Sequence, residues 1–219
     1  MLRSVVPVYL EVGAKRVFAC ALPWPGWCRV ARNDDEALRS LAAYAPRYER
    51  VAKQAGIRFA VGSVTTFDVV ERVKGSATTD FGAPGSPARA DDDTVTAREA
   101  QRIARLVDAA WAVFDDVMGV APKSLRKGPR GGGRDRDAMI EHVLDAEAMY
   151  AKKLGVRVAA PRYSDSKALG AERTAITDVL RSARAGTPVA ERGWPPRYAA
   201  RRIAWHVLDH AWECEDRSR

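Results

Sequence analysis

Cysteine is scarce in this chain. Its 219 residues include three, Cys20, Cys28 and Cys214. The number is odd and no CxxC pair occurs, which argues against a disulfide framework and for a reducing compartment. Long apolar runs are absent too. No stretch approaches the roughly 18 apolar residues that a membrane-spanning helix needs. The N-terminal MLRSVVPVYLEVGAKR has neither the sustained apolar segment nor the cleavage site of a secretory signal. A cytoplasmic location and no membrane partner are therefore expected. No internal repeat is present, so a solenoid is not expected.

What the sequence does hold is ordinary globular material: 47% hydrophobic and 29% charged residues, enough for a core in one or two domains. The formal net charge of +8 favours acidic partners in general without choosing among them. Its excess of Arg over Lys is what GC-rich coding produces. The densest basic run, Lys123 to Arg136, has no aromatic platform interleaved. It reads as a solvated loop, and nucleic acid is not an expected partner. As an anion funnel it would draw a carboxylate-bearing molecule toward a nearby site.

The fold class expected is α+β. Ser4–Val12, Arg16–Leu22 and Trp27–Ala31 read as strands, the first two as a hairpin, with PWPG turning the chain before the third. Asn33 caps a helix whose first turn carries Asp34, Asp35 and Glu36, and Pro46 interrupts it. Ile57–Val61 and Thr66–Val73 read as extended, giving a small β-β-β-α-β domain over 1–74. Residues 75–93, rich in Gly, Pro, Ser, Ala and Asp, read as a linker; a second reading folds Asp80-Phe81 over a nearby site. From Thr94 the apolar period becomes helical. Thr96 and Glu99 form a capping box, and four helices follow, ending near Met118, Leu154, Ala185 and Asp216. They predict a four-helix bundle over 94–219.

All three histidines of the chain fall on the apolar stripes of these helices. His206 and His210 are spaced i, i+4 and share a face with Ile203, Val207 and Cys214. His142 shares one with Met139, Val143, Ala146 and Tyr150. Three imidazoles from two helices aimed at one interior predict a metal site. Three protein ligands leave a position open for water or substrate. Cys214 is not expected as a fourth ligand, because His206, His210 and Cys214 together span about 12 Å of helix. Asp145, Glu141 and Asp209 are candidates only for orienting an imidazole.

The segments IEHVLDAEAMYA and IAWHVLDHAWECEDR make residues 94–219 resemble the DinB/YfiT family of four-helix bundles. That family carries one metal-ligating histidine on its second helix and an HxxxH pair on its last. The resemblance implies a divalent metal, zinc or nickel, held by His142, His206 and His210. It also implies activity as an S-transferase that uses a low-molecular-weight thiol of the mycothiol or bacillithiol kind. A metal-dependent hydrolase is the alternative. Pro25-Gly26-Trp27-Cys28 followed by Asp35-Glu36-Ala37-Leu38 resembles the HicB-like antitoxin pattern, which implies a protein partner for residues 1–74 and a noncatalytic role as a third reading. A second copy of the chain is a further candidate partner.

Overall fold

The computed structural model describes residues 5–60, 66–128 and 132–218. It is a mixed α+β protein. Three strands come first, β1 (Val5–Val12), β2 (Val17–Ala21) and β3 (Cys28–Ala31), then α1 (Asp34–Ala43), α2 (Ala45–Gln54) and β4 (Thr66–Lys74). The sheet order is β3-β2-β1-β4, with β4 parallel to β1 and the other neighbours antiparallel. The helix expected between the third and fourth strands is two helices. The break falls at Tyr44, with Pro at the start of α2, where a ring without an N–H is tolerated. Residues 57–60, expected as strand, lie outside any strand, and Val61 lies outside the described residues.

The strand alternation sends side chains to two covered faces. Val6, Val8, Leu10, Val17, Ala19 and Ala21 join the main core with Trp27, Leu41 and Tyr48. Tyr9, Phe18, Cys20 and Cys28 form a smaller cluster on the other face. Trp27 donates its indole N–H to the Leu41 carbonyl, and the Tyr48 hydroxyl donates to the Pro25 carbonyl. These bonds lock α1 and α2 over the sheet.

The segment 75–93 is built rather than loose. It contains α3 (Ala77–Phe81) and a 3-10 turn at Arg89–Asp92. The buried Glu11 carboxylate of β1 accepts from the Thr79 hydroxyl and the Gly85 and Ser86 amides. Asp91, fully buried, pairs with Arg201. Asp80 accepts from the Ala14 and Lys15 amides and so closes the β1–β2 turn, while Phe81 faces solvent. These two residues do not fold over the histidines.

Four long helices follow: α4 (Ala97–Val120), α5 (Arg136–Lys153), α6 (Ser166–Ser182) and α7 (Pro196–Arg217). Helices α4 and α5 each pack against both α6 and α7. Thr96 caps α4 by accepting from the Glu99 amide. The Glu99 carboxylate, expected to return the bond, is held by Arg197 of α7 instead. No helix among the described residues is long and apolar enough to cross a membrane.

Helix α7 joins the two halves. Gly26, at φ +91°, turns the chain so close to α7 that a Cβ there would lie 2.6 Å from a Leu208 methyl. Trp205 meets Phe18 of β2 edge-on at 5.9 Å, and Trp212 meets Tyr44 at 5.1 Å. The two tryptophans beside the HxxxH pair therefore anchor the helix to the N-terminal half, which fixes the direction in which its histidines point.

Candidate metal centre

The buried stripe of α5, which includes Met139, Val143, Ala146 and Tyr150, presents His142 toward α7. The buried stripe of α7, which includes Ile203, Val207 and Cys214, presents His206 and His210 toward α5. One ring nitrogen from each lies within 4.8 Å of the others. Ring centroids are 5.1 Å apart for His142–His206, 5.0 Å for His142–His210 and 4.7 Å for His206–His210. His206 is buried, while His142 and His210 are half-buried, so the cluster sits at the rim of the core with one side toward solvent.

Two distances test whether this donor set suits an ion. Nε2 of His206 and Nε2 of His142 are 3.3 Å apart. A zinc–nitrogen bond of about 2.0–2.1 Å in a tetrahedron requires ligand atoms separated by about 3.3 Å. The two nitrogens already hold that edge. Nδ1 of His210 lies 3.1 Å from the Glu213 carboxylate. A carboxylate there keeps the proton on Nδ1 and leaves Nε2 free to ligate. Nδ1 of His206 is buried with no hydrogen-bond partner among the described residues.

The electrostatics favour ligating forms. Burial, and then the neighbouring His210, push the pKa of His142 below the usual histidine value. His206 is pushed well below it by burial first, then by His210 and Arg202. Both shifts favour the neutral ring that metal ligation requires. The hydrogen bond from His210 and, after it, one from Arg217 hold Glu213 below the ordinary glutamate range.

Of the other sequence candidates, none joins the cluster. Asp209 pairs with Arg29 at 2.8 Å. Glu141 and Asp145 line a groove on another side of α5, against residues 160–164. Cys214 is buried one turn beyond His210, outside the group. The basic loop is partly spent within the protein: Arg126 donates to the Asp216 carbonyl at the end of α7, and Lys127 pairs with Asp135. Glu213 went unrecognised in the sequence, although its i, i+3 spacing from His210 was the available signal. Arg202 was also missed. Its guanidinium lies 4.8 Å from the Trp205 ring and 5.4 Å from Tyr150, which in turn meets His206.

Comparison of the chain with protein-family models, curated protein sequences and solved structures returned no match.

Proposed function

We propose that residues 94–219 form a DinB-like four-helix bundle in which His142, His206 and His210 hold a divalent metal, zinc or nickel. We further propose that the protein is an S-transferase using a low-molecular-weight thiol. The observation that carries this reading is the convergence of three imidazoles from two helices, one of them oriented by a carboxylate. The mutual packing of α4–α7 and the order of the three histidines support the family resemblance.

A bound ion supplies Lewis acidity at an open position, which lowers the pKa of a thiol or of water. The chain supplies the rest. His206 anchors the site from the core. Glu213 fixes the tautomer of His210. Arg202, with Nη1 buried and unpartnered among the described residues, places positive charge beside the rings, which suits a carboxylate-bearing thiol.

Elemental analysis of the purified protein tests the metal. About one equivalent per chain is expected, lost in His142→Ala and His206→Ala. Equal, negligible metal in all three proteins removes the site. Thiol-dependent conjugation of monochlorobimane tests the transferase. Turnover of esters or amides without thiol replaces it with a hydrolase. Metal with neither activity, together with a specific protein partner for the full chain, replaces both with an interaction protein of the HicB-like kind.

A further inference from the structure

The scarce cysteines hold a feature that their spacing in sequence conceals. Cys20 and Cys28 are Cα partners across β2 and β3, with Sγ atoms 2.8 Å apart. The Ala21 amide bonds to the Trp27 carbonyl, while the Trp27 amide turns to the Trp24 carbonyl, so the bonded phase of the ladder ends at Ala21–Trp27. The adjacent Cys20–Cys28 pair then falls at a non-hydrogen-bonded position, where facing Cα atoms come closest, about 4.5 Å. That separation is within the range a disulfide bridges. Both thiols are buried, in one cluster with Tyr9, Phe18 and Trp205. Beside them lies a void of about 10 Å³, lined by Tyr9, Cys20, Cys28, Arg201 and Trp205 among others. A space of that size admits about one water-sized molecule. It excludes bulky oxidants such as glutathione disulfide and leaves only the smallest, of the hydrogen peroxide kind, as candidates.

We propose that Cys20 and Cys28 are a reversible dithiol–disulfide site, oxidised by hydrogen peroxide and cross-linking β2 to β3 behind Trp205. In the first step one Sγ attacks a peroxide oxygen. The O–O bond breaks, water leaves, and a sulfenic acid remains. In the second step the other Sγ attacks the sulfenic sulfur. The S–O bond breaks and a second water leaves with the remaining proton. Two thiols lose two electrons in total and one peroxide becomes two waters. Reduction by an added dithiol reverses the bond. Burial holds the Cys28 thiol well above its usual range, which disfavours the thiolate that attacks peroxide. The couple stands independently of the metal reading. It lies near the centre, however, because the Trp205 ring is 6.1 Å from that of His206.

Trypsin gives a direct test, since residues 17–29 (VFACALPWPGWCR) form one tryptic peptide that contains both cysteines. The folded full-length chain is exposed to hydrogen peroxide, denatured, alkylated and digested. The expected peptide carries no alkyl label, is lighter by two hydrogen atoms, and regains two labels after dithiothreitol. The Cys214 peptide stays labelled throughout. A 17–29 peptide with two labels, with added oxygen, or joined to Cys214 or to another chain overturns the proposal. Cys214→Ser should leave the bond intact and Cys28→Ser should abolish it. If Cys28→Ser does not fold, the wild-type peptide decides the matter alone.

Discussion

The Glu213 carboxylate reaches back to Nδ1 of His210 with one oxygen and takes the Arg217 guanidinium on the other. A carboxylate held from two sides keeps its own geometry and imposes it on the imidazole. Loss of such an orienting partner typically weakens metal binding 10–100-fold. If the three histidines hold zinc as proposed, Glu213→Ala should lower zinc affinity by one to two orders of magnitude while far-UV circular dichroism is unchanged. Competition against a chelator measures this, and wild-type affinity in the variant would remove Glu213 from the site. The three histidines were legible because their spacing matched the apolar stripes of two strongly periodic helices. The Cys20–Cys28 pair was not. Its register depends on how the PWPG turn closes, through the Ala21–Trp27 pair, and eight residues of separation do not show which strand positions face each other.

Helices α4, α5 and α6 bury a second polar group whose cost is set by pH. Glu147 of α5 is about 1% exposed, with Arg173 of α6 at 3.5 Å and the Glu172 carboxylate nearby. Arg173 is shared with Asp115 of α4, which also accepts from the Tyr163 hydroxyl. Burial raises the Glu147 pKa from 4.5 to about 7 against the opposing pull of Arg173. Between those two values the folded state holds a proton that the unfolded chain has released. Stability from this group is thus fully present below pH 4.5, falls as the pH rises, and is lost above about pH 7, an effect on the order of 3 kcal/mol. Glu147→Gln should gain stability relative to the wild type more at pH 8 than at pH 5, read as urea midpoints. A pH-independent difference would contradict this. From the sequence only Met139, Val143, Ala146 and Tyr150 were expected on the buried face; burial of Ile140, Leu144, Glu147 and Ala151 beside them was not legible, because a lone carboxylate reads as a surface residue until the neighbouring helices are placed. Helix bounds were legible to within a few residues, because caps and the 3.6-residue period are local. Residues 57–60 and 75–93 were not, because their placement comes from distant residues: Trp24, Trp27 and Tyr48 around Phe59, and Glu11 and Arg201 around 75–93.

At the scale of the molecule, one continuous core takes in Val8, Leu10 and Trp27 from the sheet side, Leu41 and Tyr48 from α1 and α2, and Ile103, Phe114, Ala204 and Leu208 from the long helices. The composition of residues 75–93 predicts a break in just the region where Asp91 and Arg201 bind each other in the interior. Asp91 also accepts from the Ala88 amide, so it fixes the segment locally and ties it to α7. Removing one member of a buried ion pair strands the other charge and costs about 3–5 kcal/mol. Asp91→Ala should therefore lower the urea midpoint sharply. A shared core also makes separate melting of the two halves costly, since either half alone would expose the face it buries against the other. Tryptophan reports on both halves, through Trp27 beside the sheet and Trp111 on α4, while far-UV circular dichroism reports mainly on the helices. The two signals should give coincident urea transitions in the wild type and in Asp91→Ala. Two separated transitions in the wild type would mean that the halves are held by docking rather than by a common core. If they separate only in Asp91→Ala, the Asp91–Arg201 pair is what couples the halves.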